Sequence, residues 1–423
     1  MNKLLGVMAG VTALTANAAG FWLDDHSARA QGMGGAVSAL VDDASGIFYN
    51  PAGISNGKGL DVMLGDTLII PSLSYKGLDG QSTSMNTGVN PPPHVYIAGG
   101  LTDDLTLGIG VYTPFGAAVD WPDKWAGRYL ATQSALQTFD FSPQIAYRLH
   151  PRFKLGVGAD IVKGTVTIGR DVNFVDSSGS VLLGGSSWGY GVHAGAQIEM
   201  VKDVLYFGAS YRSPMNMKFD GRAHFEGVPA EFQSQVADQK ITARVTLPQV
   251  ATFGFGWKPM SNLRFGLEAE FVNWSSFPEL KIEFEDPQLT VPQRKEWHDT
   301  VAVHVGGEFD INKSISVRLG FVYDPTPTPQ NTLTPDLPDG DRLKFNAGIG
   351  WRSSFGLRAD LGYTYVAILD SKSTALGFGG TYSGGAQVIG ITLGYRIGGP
   401  APEATTPPPV TGDTPPAQMA PAQ

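Results

Sequence analysis

The chain has 423 residues, of which 42% are hydrophobic and 54 are glycine, and it carries a formal net charge of −9 with no cysteine. The negative balance argues against a nucleic-acid partner, and the missing cysteines remove disulfides as a source of stability. A chain of this length would ordinarily form roughly two or three soluble domains, yet no linker divides it before the proline-rich C-terminus. These features suit a single closed β-barrel, in which every ladder hydrogen bond is satisfied.

Residues 1–18 have the three parts of a secretory signal peptide. Lys3 supplies the positive charge, residues 4–14 form the apolar core, and the Ala-Asn-Ala sequence at 16–18 is the small-residue cleavage site. Because the apolar run is shorter than the roughly 20 residues that a membrane-spanning helix needs, we predict cleavage rather than an anchor. No later stretch is long and apolar enough for such a helix, so membrane insertion must use strands.

Residues 19–57 are rich in small side chains and turn formers. The Gly-Met-Gly-Gly sequence at 32–35 and the later Asn50, Pro51 and Ala52 favour turns and close backbone approach. A segment so poor in large apolar side chains cannot hold a core of its own. We therefore predict that residues 19–57, here called the hatch segment, fold only as a plug inside the rest of the chain.

From residue 58 to residue 398, apolar and polar residues alternate with a period of two, as strands require. About 14 strands can be counted, an even number as in bacterial barrels. A soluble sandwich would show the same alternation, but segments of about ten residues with tryptophans near their ends fit a bilayer span with aromatic girdles. The prediction is an all-β, transmembrane, antiparallel β-barrel, with girdle residues that include Trp188, Trp257, Trp274, Trp297 and Trp351.

Long segments between the predicted strands carry apolar side chains that a fully solvated loop does not need. Trp121, Trp125 and Tyr129 lie in one such segment, and Leu182 and Leu183 lie in another, at residues 172–186. Patches of this kind form either loop-on-loop packing or a docking groove for an apolar ligand. We predict that these loops are extracellular, and the residues alone leave both possibilities open.

The third predicted strand, near residues 105–119, contains a defect. Pro114 has no N–H to donate to a ladder, and Gly116 permits a backbone bend next to it. Inside a membrane barrel, the hatch segment or water must supply the missing hydrogen bonds. The sequence therefore predicts either an ordinary bulge or a functional kink.

Three stretches of the chain resemble the FadL/TodX family of outer-membrane channels for long-chain fatty acids and other hydrophobic compounds. Their sequences are AGFWLDDHSARAQGMGGA…DDASGIFYNPAG, GVYTPFGAAVDWPDKWAG and YDPTPTPQ…PDLPDGDR. The similarity runs over nearly the whole chain except its tail, and it identifies Asn50-Pro51-Ala52 as the family's hatch motif. It implies that the third strand kinks inward and opens a lateral exit from the lumen, at Thr113, Pro114, Phe115 and Gly116. It also favours a ligand groove at the extracellular loops, in which the capture residues would be Trp121, Trp125, Tyr129, Leu182 and Leu183.

The resemblance also bears on a ligand pocket in the lumen. We expect Phe21 and Trp22 to line this pocket, and Arg170 stands where the family has an arginine that contacts the ligand head group. The family's second basic position falls near His298, where the sequence departs from lysine. A histidine weakens carboxylate binding, which admits neutral hydrocarbons and aromatics beside fatty acids.

No catalytic constellation is present: the chain has no G-x-S-x-G motif, no H-E-x-x-H motif and no cysteine. We therefore predict no enzyme activity, no cofactor and no metal site. Residues 399–423 combine many prolines with alanine and threonine, which predicts an extended, disordered tail. We expect a monomer in the Gram-negative outer membrane, in contact with its lipid and lipopolysaccharide, with both termini in the periplasm.

The predicted function is passive uptake of hydrophobic compounds, with long-chain fatty acids as the first candidate. The ligand would dock at the extracellular loops, reach the lumenal pocket and leave sideways at the third strand after the hatch rearranges. Three alternatives remain open at this point. They are transport of neutral hydrocarbons or monoaromatics by the same route, a small-solute porin, and a structural or surface protein without transport.

Overall fold

A computed structural model describes residues 19–233 and 236–398. The predicted signal peptide and the predicted tail lie outside these residues. Within them the chain is almost entirely β-structure. In this described part, no helix has the length and apolar character needed to cross a membrane.

Fourteen antiparallel strands form one closed barrel. The β1–β14 pairing, from Leu60 opposite Ile397 to Gly77 opposite Gly380, closes the sheet on itself and removes its edges. The predicted all-β barrel of about 14 strands is therefore confirmed. The strands are β1 Gly59–Gly77, β2 Pro93–Gly100, β3 in two segments Leu105–Tyr112 and Gly116–Asp120, β4 Gln133–His150, β5 Phe153–Asn173, β6 Ser178–Val201, β7 in two segments Leu205–Arg212 and Met215–Glu226, β8 in two segments Gln239–Leu247 and Val250–Met260, β9 Leu263–Val272, β10 Thr300–Asp310, β11 Ile315–Asp324, β12 Arg342–Arg352, β13 Leu357–Ser373 and β14 Gly380–Ile397.

The barrel wall is apolar outside and polar inside. In β4, Phe141 and Ile145 are exposed on the outer surface, whereas Asp140 and Gln144 are buried on the inner one. Successive side chains of a strand point to opposite faces, so the period of two in the sequence becomes this division. The arrangement is that of a membrane barrel, since a soluble sandwich buries its apolar face.

The aromatic girdle is smaller than predicted. Trp188, Trp257 and Trp351 lie on the outer surface, where each is 43–50% exposed. Trp274 and Trp297 are almost completely buried, so the assignment of these two residues to the girdle is wrong. They stand at the two ends of the irregular β9–β10 connection, and their rings pack against the hatch residue Phe21 inside the barrel.

The barrel is taller than the sequence predicts on one side. β5 ends at Asn173 and β6 begins at Ser178, and the two pair along their full length. The prediction of a long loop at residues 172–186 is therefore wrong for most of that range. Cross-strand pairing to β5 and β7 holds this segment extended, although it contains several serines and glycines. Short elements fill other connections: strands Ser82–Ser84, Glu279–Leu280, Ile282–Phe284 and Gln293–Arg294, and 3₁₀ turns Trp274–Ser276 and Pro287–Leu289.

The hatch segment lies inside the barrel and is buried almost throughout. It contains two short helices, α1 Ala28–Gly32 and α2 Gly46–Tyr49, and a 3₁₀ turn, Pro51–Ile54. Inward-facing glycines of the wall let its backbone approach closely. A Cβ atom on Gly266 or Gly306 would lie 2.0 Å from a hatch carbonyl oxygen, so a larger residue would push the segment away.

Ion pairs attach the hatch segment to the wall as well. Arg29 lies 3.2 Å from Glu308 of β10 and also contacts Asp42 and Asp43 within the segment. Glu308 is buried and is shared with Arg264 and Arg318 of the neighbouring strands. Buried charges need such partners because an isolated one is costly. This network holds the middle of the hatch segment in place.

Candidate functional site

Strand β3 is broken at residues 113–115. Its first segment pairs with β2 and β4, but its second segment pairs with β4 alone. Residues 112–119 are all buried, although alternate residues of a wall strand would face outward. The second segment therefore lies inside the line of the wall, as expected where Pro114 cannot continue a ladder.

This displacement leaves an interruption in the wall, here called the lateral gap, between residues 86–93 and residues 113–119. On the side nearer the start of β1, the β2–β3 ladder ends at the pair Val95 and Val111, next to the gap. On the opposite side of the gap, the Asn86 N–H donates to the carbonyl oxygen of Asp120 at 2.8 Å. Backbone hydrogen bonds thus limit the gap at both of its ends.

The hatch segment supplies the hydrogen bonds that the broken strand lacks. The Leu23 N–H donates to Pro114 O, and the Gly116 N–H donates to Phe21 O, each at 2.9 Å. Trp22 and Phe115 form the antiparallel bridge between these two bonds. Of the two hydrogen-bonding partners considered from the sequence, the hatch and water, the hatch takes this role.

An apolar cavity lies beside this junction and encloses about 790 Å³ of empty space, part of it open to solvent. Phe21 of the hatch segment and Ala117 of β3 both line it, so the cavity touches the closure of the gap. Ser134 and Asp336 contribute the polar groups of the lining. The remaining lining residues are Ala135, Leu136, Val166, Ile168, Leu183, Gly184, Gly185, Phe219, Gly221, Ile241, Ala243, Val245, Phe277, Leu280, Ile282 and Leu337.

Phe21 is held in a cage of aromatic rings. Its ring centroid lies 4.7 Å from that of Trp274 and 5.6 Å from that of Trp297, and Phe115 and Phe277 complete the cage. Edge-to-face contacts of this kind are favourable beyond the area that they bury. Sequence reasoning missed the two tryptophans, although their position beside an irregular segment was a signal that they do not end membrane strands.

Trp22 is separated from the apolar cavity. It stacks on Phe48 with ring centroids 5.5 Å apart, and its indole N–H donates to Glu270 Oε1 at 3.0 Å. It lines a second, more polar pocket of the lumen, together with residues that include Arg212 and Thr252. The two residues predicted to line one pocket therefore face different surroundings, and Phe21 alone of the two reaches the apolar cavity.

The basic residues of the lumen differ from the prediction. Arg170 is on the inward face of β5, one inward position beyond the cavity-lining Ile168. His298 is exposed and does not line the cavity, so its placement in the lumen is corrected. Lys295 is buried instead and lies 2.6 Å from Asp336. The family resemblance placed the second basic position near His298 and missed this lysine, which lies three residues earlier in an irregular connection.

The Asn50-Pro51-Ala52 motif fixes the end of the hatch segment to the wall. The Asn50 side chain accepts the Ala52 N–H at 3.1 Å and donates to the carbonyl oxygens of Ser38 and Ala196. Pro51 opens the 3₁₀ turn, where its missing N–H costs nothing. These contacts lie away from the apolar cavity.

The five predicted capture residues do not form one surface. Trp121 and Trp125 are buried and stacked, with ring centroids 4.4 Å apart, in a cluster with aromatic residues of β1 and β14. Tyr129 is partly exposed and hydrogen-bonds Ser178. Leu182 and Leu183 point to opposite faces of β6, and only Leu183 lines the cavity. The tryptophans therefore represent loop-on-loop packing, one of the two readings of the sequence.

Polar contacts position the first residues of the hatch segment. The Ala19 N–H donates to Asp324 at 2.7 Å, and Lys344 contacts Asp24 at 2.9 Å. Burial, followed by repulsion from Asp24, raises the pKa of Asp25 to about 7. Burial also lowers the pKa of His26 to about 3, so this histidine is neutral at physiological pH.

Known proteins share both the sequence pattern and the fold. The pattern of the outer membrane protein transport protein family (OMPP1/FadL/TodX) matches residues 9–397. A long-chain fatty acid transport protein of Escherichia coli O6:H1 is 25% identical, over 94% of this chain and 98% of that protein. Outer membrane protein P1 of Haemophilus influenzae is 23% identical, over 94% of this chain and 99% of that protein.

Solved structures agree in fold. A Pseudomonas aeruginosa FadL homologue superposes with a TM-score of 0.81 at 19% identity, over 89% of this chain and 99% of that one. The Pseudomonas putida toluene transporter TodX gives a TM-score of 0.74 at 15% identity, with the same coverage. The chain therefore belongs to the OMPP1/FadL/TodX family of outer-membrane transport proteins, which are channels and not enzymes.

Proposed function

We propose that this chain is a passive outer-membrane channel that takes up hydrophobic compounds and releases them sideways through the lateral gap. The ligand enters from the long-loop end, occupies the apolar cavity and leaves after the N-terminal part of the hatch segment moves. The observation that carries this proposal is the contact of one cavity with both Phe21 and Ala117, the two sides of the closure. Two backbone hydrogen bonds and the packing of two aromatic side chains keep that closure shut.

The orientation and surroundings of the barrel form part of the same proposal. β1 begins and β14 ends at the same end of the barrel, where Gly59 lies against Gly398. Short turns join the strands at that end, as on the periplasmic side of bacterial barrels. Both termini are then periplasmic, and the apolar outer wall faces lipid and lipopolysaccharide around a single chain.

Long-chain fatty acids are the first candidate substrate. The relative from E. coli is named a long-chain fatty acid transport protein, and Arg170 stands beyond the cavity where a carboxylate could bind it. Asp336 acts electrostatically on Arg170, but it is already paired with Lys295. Neutral hydrocarbons and monoaromatics are the second candidate, because the lining of the cavity is almost wholly apolar.

Straightening β3 should lower uptake of both classes of substrate. The double variant Pro114→Ala, Gly116→Ala restores a backbone donor and removes the bend, so that the gap-open state becomes rarer and uptake falls about tenfold. Uptake of radiolabelled oleate and toluene would be measured in cells that express either chain, against empty-vector cells. Heat-modifiable gel mobility would show that each barrel is folded.

A matched control for this test is Pro143→Ala, which removes a proline from the outer face of β4 without touching the gap. Native uptake by the straightened barrel would contradict lateral exit. If the native chain itself behaved like the empty vector for both compounds, a porin or a surface protein would replace the channel proposal. Conductance that rises with salt would then distinguish the porin.

Removing the charge of Arg170 should separate the two candidate substrates. Arg170→Gln loses a charge-assisted contact to a carboxylate, so oleate uptake should fall about tenfold, whereas toluene uptake should not change. Arg244→Gln is the control, because Arg244 lies on the outer face of β8 and pairs with Glu283. An equal loss of oleate and toluene uptake would show that Arg170 has no role in charge recognition.

A further inference from the structure

Asp66 interrupts the apolar outer face of β1. Residues 61, 63, 67 and 69 of this strand are buried on the inner face, which places Asp66 on the outer face between Leu64 and Leu68. Leu64 is 57% exposed there. An ionisable side chain in the lipid-facing band of a barrel is costly, and where one occurs it marks a functional position by default.

The position of Asp66 coincides with the edge of the lateral gap. Asp66 stands opposite Pro93, the first residue of β2, and their pair is the last in the β1–β2 ladder. Beyond it, a single bridge between Ile69 and Asn90 joins β1 to the segment that borders the gap. The carboxylate therefore lies on the outer face, one strand away from the opening.

A hydrogen bond to the backbone explains why a side-chain oxygen is needed at position 66, but it does not explain why that side chain is ionisable. One carboxylate oxygen accepts the Thr67 N–H at 2.8 Å, at a point where the ladder has no partner for that donor. An asparagine oxygen would accept the same bond. Within residues 19–233 and 236–398, no basic side chain lies within 4.0 Å of the carboxylate to neutralise it.

We propose that Asp66 is a specificity-determining residue that makes the outer side of the lateral gap disfavour anions. A ligand that leaves through the gap passes the edge formed by Pro93, which Asp66 faces. A neutral molecule meets no electrostatic barrier there, whereas an anionic head group meets a like charge, and two carboxylates that approach one another disfavour each other's charged form. Arg170 and Asp66 thus act in opposite directions on a fatty acid, the first at the inner end of its path and the second at the exit.

This inference rests on the proposed function, and its test separates the two. Cells would be given oleate and oleyl alcohol, which have the same chain length and differ in the charge of the head group. Asp66→Asn keeps the oxygen that accepts the Thr67 N–H and removes the charge. We expect it to raise the ratio of oleate to oleyl alcohol uptake about tenfold over that of the native chain.

The control is Asp79→Asn, which makes the same change of net charge in an exposed loop. Asp79 also accepts a nearby backbone N–H, that of Gln81 at 3.0 Å. An unchanged ratio in Asp66→Asn, with both probes taken up, would overturn the role of Asp66 and leave the channel proposal intact. A native chain that takes up neither probe above the empty vector would overturn the channel proposal and this inference with it.

Discussion

A disulfide between positions 22 and 115 is expected to reduce uptake to the level of empty-vector cells, and a reducing agent is expected to restore it. The double variant Trp22→Cys, Phe115→Cys joins the hatch segment to the kink at the bridge between them. If the ligand leaves through the lateral gap, Phe21 and Leu23 must first separate from β3. A covalent bond at this point prevents that separation.

The geometry of the bridge suits such a bond. The hydrogen bonds on either side of it run from Leu23 to Pro114 and from Gly116 to Phe21. Trp22 and Phe115 are therefore a non-hydrogen-bonded antiparallel pair, for which the Cα atoms are typically about 4.5 Å apart. This distance is within the range that a disulfide spans. Because the chain has no cysteine of its own, no other disulfide can form.

The two single-cysteine variants and the reduced double variant are the controls for this experiment. They lose the same aromatic rings without the covalent link, so they measure the effect of the substitutions alone. Uptake of oleate and toluene would be followed before and after treatment with the reducing agent. Uptake by the oxidised double variant at the reduced rate would show that the ligand leaves by another route.

The sequence was sufficient to predict the barrel and a defect in the third strand because both depend on local chemistry. A period of two identifies strands whichever residues they pair with, and Pro114 cannot donate to any ladder. The observed closure, in which backbone atoms of residues 21 and 23 bond to β3, follows from that missing ladder. The hatch segment was one of the two partners considered, but the particular residues that bond to β3 could not be predicted, since they are separated from the kink by about 90 residues of sequence.

The site residues that were misplaced depend on contacts far along the chain. Trp274 and Trp297 have the composition of girdle residues, and only the position of Phe21 shows that they form a cage in the lumen. Lys295 and His298 lie in the same irregular connection, where no periodicity indicates which side chain turns inward. Leu183 lines the cavity because β6 begins at Ser178, within the range that was predicted to be a loop.

Filling the apolar cavity should also abolish uptake, because it removes the space in which the ligand binds and leaves the lateral gap unchanged. Ala243 lies on the inner face of β8 and lines the cavity. In Ala243→Trp, the indole fills space that an apolar ligand would otherwise occupy. We expect binding to weaken about a hundredfold and uptake of oleate and toluene to fall to the empty-vector level, since burial of the ligand surface supplies most of the affinity of such a site.

The neighbouring residue offers a matched control for Ala243→Trp. Thr242 immediately precedes Ala243 in the same strand and points out of the barrel, so Thr242→Trp adds an indole to β8 without entering the cavity. Binding of the apolar fluorophore N-phenyl-1-naphthylamine to purified protein would report occupancy separately from uptake. Loss of both binding and uptake in Ala243→Trp alone would place the cavity on the transport route. Native uptake in a variant that no longer binds the fluorophore would mean that ligands reach the gap without entering the cavity.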